Sequence, residues 1–492
     1  MTAELDLAAI SAVELARLIR GRELSATELL TATLARIGEV NPGINAIITL
    51  APEQALAAAA ELDALAARGS FAGPLHGLPI AIKDLAETAG IRTTYGSPVY
   101  ASFVPSSDAP HVTLLRQAGV VIIGKTNVPE FGAGSQTFNP VFGATRNPLD
   151  TRLTPGGSSG GAAAAVAAGL LPFADGSDLA ASVRNPAAFC GLVGLRTTPG
   201  LVPSGLLDPL GVVGPIARTV PDAALLLAGM CGTDSARPLA RPDRPGDFLD
   251  LARAPLRGLR VAWTFDLGDL PVQPEVRAVL GACRARLEAA GCAVTDAAPD
   301  LGDADEVFQV LRAERMAAMA PFLRAHRDQV KATLAWNIEK GTGLDGEQIA
   351  WAHARHAEIV ERVAAFLADG PYDVLALPTV QVVPFPVEQE YPTQINGQPM
   401  ATYIDWMRSC SRITVSLHPA VTVPAGLTAD GLPAGLQLVG RYGTDRRLLE
   451  IAAAVHEAAG ALTGGALTGG SSTGGAWTGG APNAGAPNAG AS

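Results

Sequence analysis

Short apolar runs bounded by glycine or proline alternate along this chain with segments of helical periodicity. The clearest pair lies at residues 78–83 and 119–123, and a helical segment containing Leu114 and Leu115 connects them. Such runs are typical of strands buried on both faces, and strand–helix–strand alternation is typical of a sheet covered by helices. The sequence therefore predicts an α/β fold.

Other elements are predicted by the same signals. Capping-box spacing at Ser11 and Ser25 indicates two helices within residues 8–40, with Gly21 between them. Further helices are predicted at residues 52–68, 160–171 and 446–459, and further strands at 192–195, 373–378, 420–424 and 435–439. Residues 245–370 are predicted to be mostly helical with polar faces.

Composition argues against several functions. The 492-residue chain has a formal net charge of −11, and an acidic chain neutralises phosphates poorly, so we expect no nucleic-acid partner. No segment offers about 20 uninterrupted apolar residues, so no membrane partner is expected. The first residues lack the features of a signal peptide, and five scattered cysteines without a CxxC pair fit reduced thiols. We therefore expect a cytoplasmic protein with no metal site and no cofactor.

Two serines and one lysine are the candidate catalytic residues. Ser158 and Ser182 each lie in a run of small residues that leads into an apolar segment, and Lys83 ends an apolar run. A serine hydroxyl is a weak nucleophile until a neighbour takes its proton. A lysine can take that proton only when neutral, which requires burial to lower its pKa from about 10.4. These residues suit an amide-cleaving site that uses no histidine.

Residues 156–160 also match G-x-S-x-G, the nucleophile elbow of α/β-hydrolases. That elbow needs a strand directly before it and a histidine later in the chain. Later histidines are available at positions 326, 353, 356, 418 and 456. However, residues 147–155 are predicted to form a proline-broken loop, which counts against the elbow. A flexible Gly-Ser loop without chemistry is the remaining interpretation of this pattern.

Several longer motifs resemble the amidase signature family, whose members cleave carboxamide C–N bonds with a Ser–cis-Ser–Lys triad. Residues 156–161 read GGSSGG, residues 176–186 read GSDLAASVRNP, and residues 75–84 read LHGLPIAIKD, where the family has its lysine. Further matches are GKTNVPEF at 124–131, GATRNP at 143–148, HPAVTVPAG at 418–426 and GLPAGLQLVG at 431–440. The resemblance is strong over about residues 60–225 and looser over 370–460. It implies a single large mixed β-sheet wrapped by α-helices.

The resemblance also implies a domain organisation. Residues 1–460 form one domain, with a helical segment at 1–68, a catalytic core at about 69–230, a variable region at about 245–370 that shapes the substrate pocket, and closing strands and a helix at 371–460. Residues 461–492 repeat Gly, Ala, Thr and Pro and cannot bury a core, so we expect a disordered tail without a part in catalysis.

Carried over residue by residue, the resemblance implies a role for each triad position. Ser182 matches the nucleophile, Ser158 the cis-serine that relays a proton, and Lys83 the base. In the family the peptide bond before the cis-serine is cis, which is the bond from Gly157 to Ser158 here.

The oxyanion hole is implied to consist of backbone N–H groups. They belong to Leu179, Ala180, Ala181 and Ser182. The chain departs from the family pattern here, because the family has Gly-Gly where this chain has Ala180 and Ala181. The N–H donors remain, but the two methyl groups restrict the backbone and crowd the approach of a substrate.

Residues beside these motifs have two interpretations each. Asp178 and Arg184 either hold the oxyanion loop as supporting residues or form an ion pair with no part in catalysis. Ser159 and Ser177 either hydrogen-bond around the triad or only satisfy a loop.

The segment of small residues at 132–134 also has two interpretations, and two further residues are expected to be structural. Gly132, Ala133 and Gly134 fall where family members line the acyl pocket, so they indicate either a roomy pocket or a tight turn. His76 is expected to be structural, and Cys190 is expected to be a buried apolar residue.

Three functions are compatible with these residues. The first is a serine amidohydrolase that cleaves a small-molecule amide, aryl amide or carbamate (urethane), with side esterase activity, as a monomer or homodimer. The second is the transferase subunit of an aminoacyl-tRNA amidotransferase, which releases ammonia from glutamine and needs a partner subunit. The third is a catalytically silent binding or scaffold protein of the same fold. Intact Lys83, Ser158 and Ser182 argue against the third, and we favour the first.

Overall fold

The structure is a computed structural model that describes residues 6–205, 207–234 and 237–460. Its strands are β1 (Ile47–Leu50), β2 (Pro79–Lys83), β3 (Val121–Thr126), β4 (Phe138–Asn139), β5 (Gly143–Ala144), β6 (Phe173–Asp178), β7 (Val193–Arg196), β8 (Val212–Ala217), β9 (Arg260–Trp263), β10 (Ala293–Asp296), β11 (Val374–Pro378), β12 (Gln394–Ile395), β13 (Gln398–Pro399), β14 (Ala420–Leu427) and β15 (Pro433–Val439). Its helices are α1 (Ala12–Arg20), α2 (Ala26–Ile44), α3 (Pro52–Ala67), α4 (Pro110–Gln117), α5 (Gly160–Ala167), α6 (Arg184–Phe189), α7 (Val220–Met230), α8 (Pro274–Ala289), α9 (Ala304–Ala317), α10 (Ala320–His326), α11 (Ala332–Thr342), α12 (Gly346–Ala364), α13 (Arg408–Val415) and α14 (Asp445–Ala458). The predicted disordered tail, residues 461–492, lies outside the described residues.

The main sheet has eight strands in the order β10-β9-β11-β15-β14-β7-β8-β6. Strands β10, β9 and β11 pair in parallel, and the remaining neighbours pair antiparallel. The predicted large mixed sheet is therefore confirmed. Strand β6, at one end of this order, leads directly into the turn that carries Ser182.

A smaller three-stranded sheet, in the order β1-β3-β2, supplies Lys83. Strands β2 and β3 are parallel, and Lys83 pairs in register with Thr126. Every residue of β2 is buried, as its apolar sequence predicts. The backbone N–H of Lys83 donates to the Asp175 side chain on β6 at 2.9 Å, so the end of β2 lies against the main sheet.

The helices begin where the capping signals predict. The Ser11 side chain accepts from the N–H of Glu14 at the start of α1, and Ser25 and Glu28 form a reciprocal capping box on α2. Gly21 caps the C-terminus of α1. Helices α5 and α6 lie in the interior, with almost every residue buried, which the alanine- and glycine-rich sequence of α5 permits.

Some strands were not predicted. Strand β6 reads FADGSD and β8 reads VVGPIA, so aspartate, glycine and proline hide the apolar signal. Both are strands because their backbones pair with each other over six residue positions. Residues 245–370 are mostly helical as predicted, but β9 and β10 also lie there. None of the described helices combines the length and hydropathy needed to cross a membrane.

Candidate active site

Lys83 ends β2 with its ammonium group surrounded by serine oxygens, and only 1% of its surface is exposed. The nitrogen Nζ lies 2.9 Å from Oγ of Ser158 and 2.7 Å from Oγ of Ser159. It also lies 3.0 Å from Oγ and 3.2 Å from the carbonyl O of Ser177. Ser159 and Ser177, predicted to surround the triad or to satisfy a loop, therefore both contact Lys83.

Burial lowers the pKa of Lys83 to about 7, because the interior disfavours the charged ammonium. The negative charges of Asp175 and Asp178 act in the opposite direction and raise it. A lysine with a pKa near neutrality is partly deprotonated at pH 7, so its Nζ can accept a proton from a hydroxyl that contacts it.

Ser158 lies in a glycine-rich loop immediately before α5. The peptide bond from Gly157 to Ser158 is cis, as the resemblance implies. The side-chain amide of Asn185, on α6, donates to the carbonyl O of Gly157 at 3.2 Å and so ties the loop to α6. A Cβ at Gly161 would collide with the backbone N of Asn127, so only glycine permits this close approach.

The α/β-hydrolase interpretation of this loop is wrong. Residues 147–155 form no strand, and only isolated bridges occur there, Asn147 to Asp150 and Leu153 to Pro386. The side chain that contacts the Ser158 hydroxyl is Lys83 rather than a histidine.

Ser182 lies in the turn between β6 and α6, beside the Ser158 loop. Its carbonyl O accepts from the N–H of Ser159 at 3.1 Å. Ser182 is 8% exposed, against 3% for Ser158 and 1% for Lys83, so it is the most accessible of the three. Because Ser159 contacts both Lys83 and Ser182, the three predicted residues form one cluster.

The turn before Ser182 presents backbone N–H groups with no acceptor in the described part of the chain. They are those of Leu179, Ala180, Ala181 and Ser182, the groups predicted for the oxyanion hole. The adjacent carbonyls are used: the O of Ala180 accepts from Arg184 and the O of Ala181 from the N–H of Asn185. Neither alanine has a positive φ, so the turn accepts Ala in place of Gly. Free N–H groups in a buried turn can stabilise a developing negative charge.

Arg184 and Asp178 form a completely buried ion pair at the base of this turn. The guanidinium of Arg184 contacts both carboxylate oxygens of Asp178, at 2.9 and 3.0 Å, and donates to the carbonyl O of Ala180 at 2.9 Å. It also donates to Gln437 on β15 and Thr414 on α13. Burial acts to raise the pKa of the Asp178 carboxyl, but Arg184, Arg196 and the backbone N–H of Val183 together outweigh burial and lower that pKa to about 2. Through these contacts Arg184 ties the turn to Asp178, β15 and α13.

The segment Gly132, Ala133 and Gly134 lies next to Ser158. Both glycines have positive φ, so the segment is a tight turn. A Cβ at Gly132 would lie 3.5 Å from Oγ of Ser158, so the same turn borders the serine cluster. Ala133 packs with Leu323 of α10 and other residues of the helical region.

Sequence reasoning missed Asp175 and His111. One carboxylate oxygen of Asp175 accepts the backbone N–H of Lys83 at 2.9 Å, and the other lies 3.3 Å from Nε2 of His111. Asp175 and Ser177 are two residues apart on β6 and therefore share a face of the strand. Recognising residues 173–178 as a strand would have placed Asp175 on the same face as Ser177, and therefore near Lys83.

Two neighbouring cavities adjoin the cluster. One, of about 450 Å³, is bordered by Lys83 and His111. The other, of about 460 Å³, is bordered by Leu179 and Phe131. Ser177 borders both. The two cavities therefore meet beside Ser177, close to Lys83 and to the start of the oxyanion turn, and among the described residues neither Ser158 nor Ser182 lines them.

Two further predictions concern residues outside the cluster. His76 packs edge-on against Phe71 and accepts the N–H of Ala72 at 3.0 Å, as a structural histidine does. Cys190 is fully buried, as expected, and its thiol pKa is raised by burial. Among the described residues no group of three or more His, Cys, Asp or Glu side chains could hold a metal ion.

Comparison with known proteins agrees with this geometry. The Amidase family model matches residues 28–449. The chain is 38% identical over 458 residues to an acylamidase of Rhodococcus erythropolis, covering 92% of this chain and 95% of the relative. It is 34% identical to a glutamyl-tRNA(Gln) amidotransferase subunit of Moorella thermoacetica, covering 92% of this chain and 97% of that relative.

Solved structures resemble it as well. A bacterial aryl acylamidase of the amidase signature family superposes with a TM-score of 0.87 at 28% identity, covering 94% of this chain and 99% of that one. A 6-aminohexanoate cyclic dimer hydrolase gives a TM-score of 0.83 at 31% identity, covering 93% and 98%. The fold and the serine–lysine cluster define a hydrolase that acts on amide C–N bonds. The chain belongs to the amidase signature family.

Proposed function

We propose that Ser182 is the nucleophile of this amide hydrolase, that Ser158 relays protons and that Lys83 is the base. The observation that carries this assignment is the 2.9 Å contact between Nζ of Lys83 and Oγ of Ser158. Burial lowers the pKa of that lysine to about 7, which allows the neutral form that a base requires.

In the acylation step, Oγ of Ser182 forms a bond to the carbonyl carbon while its proton passes to Ser158, and the proton of Ser158 passes to Lys83. The carbonyl π-electron pair moves to the oxygen, which becomes an oxyanion near the free N–H groups of residues 179–182. Loss of one such donor costs about 10²–10³ in rate in other enzymes.

Collapse of the intermediate breaks the C–N bond and leaves an acyl-enzyme. The leaving nitrogen takes a proton from Ser158, which recovers one from Lys83, so the amine departs neutral. Water then adds to the ester carbonyl by the same relay and releases the acid and Ser182. The net reaction consumes one water and needs no cofactor.

We extend the proposal to carbamates and to activated esters. A carbamate presents the same carbonyl and the same leaving nitrogen, so the tetrahedral intermediate has the same geometry at Ser182. A cytoplasmic location is also proposed, because all five cysteines are free and buried and free thiols persist in a reducing compartment. The oligomeric state, monomer or homodimer, stays a prediction.

Labelling with a fluorophosphonate tests the nucleophile. We expect the label on Ser182, loss of labelling and turnover in Ser182→Ala, and normal labelling in Ser97→Ala, which removes another buried hydroxyl. Label on Ser158 instead would contradict the assignment.

A second assay separates the hydrolase from the transferase component of an amidotransferase. The purified chain alone should hydrolyse 4-nitroacetanilide. Activity confined to glutamine, and only with a second chain added, would favour the amidotransferase alternative.

A further inference from the structure

A histidine occupies a buried position of α4 where an apolar residue would be expected. His111 lies in the first turn of the helix, one turn before Leu115, and both are buried together with Val112. Residues four apart share a helix face, so His111 lies on the face that packs inwards. A buried imidazole is costly unless its polar atoms are hydrogen-bonded. Its position therefore requires a polar partner inside the protein.

That partner is Asp175 on β6. Nε2 of His111 lies 3.3 Å from one carboxylate oxygen, and the other oxygen accepts the backbone N–H of Lys83 at 2.9 Å. Only 5% of the His111 side chain and 2% of the Asp175 side chain are exposed. An ionised carboxylate can only accept hydrogen bonds, so Nε2 carries the hydrogen and donates it. Asp175 is thus held from two sides, by α4 and by the end of β2.

The pair lies beside Lys83. Lys83, His111 and Asp175 all border the 450 Å³ cavity. Asp175 also shares a face of β6 with Ser177, whose Oγ lies 3.0 Å from Nζ of Lys83. Because the Coulomb interaction falls with distance, the position of the carboxylate determines how strongly its charge acts on Lys83.

Other charged groups surround the pair. Asp178, farther along β6, also raises the pKa of Lys83, and Lys125 on β3 is a second buried cation that the charge of Asp175 influences. Further charged side chains line the cavity: Glu87, Asp108 and Arg237. Within the described part of the chain, the His111 ring hydrogen-bonds none of these groups, so Asp175 is the group through which it acts.

We propose that His111 is a positioning residue for the base of the reaction: its hydrogen bond fixes the Asp175 carboxylate against the end of β2, and the fixed carboxylate sets the charge that Lys83 meets. The inference rests on the proposed function, because it takes Lys83 as the base. Without His111, the carboxylate keeps the N–H of Lys83 but can turn into the space that the ring vacates. At an effective dielectric constant of about 20, moving one charge about 1 Å farther from another about 6 Å away changes a pKa by about 0.3.

The test measures kcat/KM of the full chain against pH with 4-nitroacetanilide. His111→Leu removes the hydrogen bond and should move the acidic limb to lower pH by about 0.3 unit or more, because the charge that raises the pKa of Lys83 is then farther away. His111→Gln still offers an N–H donor and should keep the limb close to its wild-type position. Asp175→Asn leaves no charge to position, so adding His111→Leu to it should produce no further shift.

His418→Leu is the matched control. His418 is also buried, and its Nδ1 is hydrogen-bonded at 2.7 Å to the carbonyl O of Ser416 rather than to a carboxylate. Its replacement should leave the acidic limb in place. Melting curves check that each variant folds, and His111→Met, which fills similar space with a flexible thioether, replaces His111→Leu if that variant does not.

A second measurement needs no turnover. The ¹³C NMR shift of the Lys83 side chain follows protonation of Nζ, and its signal is assigned by its loss in Lys83→Met. The pKa read from this titration should fall in His111→Leu by the same amount as the acidic limb. Failure of the proposed function has a different signature: the wild type would turn over no anilide, or its acidic limb would not follow the titration of Lys83. The NMR titration would still report whether His111 acts on Lys83.

Two results would overturn the inference. One is a folded His111→Leu or His111→Met protein in which the pKa of Lys83 is unchanged or raised. The other is a shift from His111→Leu that is as large in the Asp175→Asn background as in the wild type, because His111 would then act on Lys83 without Asp175.

Discussion

The carboxylate of Asp175 accepts the backbone N–H of Lys83 at 2.9 Å, and its second oxygen lies 3.3 Å from Nε2 of His111. All three residues are buried. The charge of Asp175 raises the pKa of Lys83 against the larger lowering effect of burial, and Asp178 adds to it. Asp175 therefore fixes the end of β2 and also influences how readily Lys83 gives up its proton.

Asp175→Asn should move the acidic limb of the activity profile to lower pH. The amide keeps an oxygen for the N–H of Lys83 but removes the charge, so the pKa of Lys83 falls. Activity needs neutral Lys83 and rises as pH passes its pKa, so a lower pKa brings activity to lower pH. The measurement is kcat/KM against pH. Asp222→Asn is the control, because Asp222 is also buried and accepts a backbone N–H, that of Val13 at 3.0 Å. An acidic limb that stays at the same pH in Asp175→Asn, or moves to higher pH, would contradict this effect of the Asp175 charge on Lys83.

Replacing Lys83 should slow the hydrolysis of amides more than the hydrolysis of activated esters. Lys83→Met removes the proton acceptor, and we expect amide hydrolysis to fall by about 10²–10⁴. A nitrophenyl ester should lose less, because its leaving group departs without a proton. The readout is the anilide-to-ester ratio of kcat/KM.

Lys125→Met supplies the comparison for that ratio. Lys125 is a second buried lysine, which donates to Thr88 and Thr93 rather than to the serine cluster. Its replacement should lower stability and leave the ratio unaltered. Full amidase activity in Lys83→Met would contradict the assignment of Lys83 as the base.

Arg184→Met should destabilise the fold by up to about 3–5 kcal/mol, because it removes the bidentate partner of the buried Asp178 carboxylate and leaves only Arg196, at 3.6 Å. Denaturant titration measures this loss. Arg260→Met removes the exposed pair with Asp373 and should change the midpoint little. A similar midpoint for both variants would show that the buried pair is not a major support of the turn.

Low pH should weaken the ion pair between Asp178 and Arg184, because it protonates the carboxylate. The pKa of the Asp178 carboxyl is about 2 in the folded protein, below the usual value of about 3.9. Its contribution to stability is therefore present above about pH 4 and is lost as the pH falls through about 2. The wild type should lose stability over that window, and the Arg184→Met variant should lose less there.

The two alanines of the oxyanion turn should behave differently when changed to glycine. Ala181 is completely buried, and Ala180 is 8% exposed. Ala181→Gly should cost about 1 kcal/mol of stability through a lost buried methyl and a freer unfolded chain. Ala180→Gly should instead change the ratio of kcat/KM between a bulky anilide and propionamide. Equal stability losses with no change in this ratio would mean that neither methyl faces the substrate.

Local signals in the sequence determined the parts of the fold that depend on near neighbours. Ser11 and Ser25 start α1 and α2 because capping requires only a hydroxyl three residues before a backbone N–H. The apolar run before Lys83 specifies a buried strand by itself. The motif resemblance named the triad positions, although it could not supply a distance between any two of them.

Tertiary structure alone decided how these parts meet. Strands β6 and β8 carry aspartate, glycine and proline, and they are extended because each finds a partner in the other. The pKa of Lys83 depends on burial beneath serines far along the chain and on the charge of Asp175, 92 residues away. Such contacts join residues whose separation in sequence carries no information about their distance in space. The sequence therefore determined which chemical groups the site contains, and packing decided their distances and charges, because desolvation and Coulomb interactions depend on position in space.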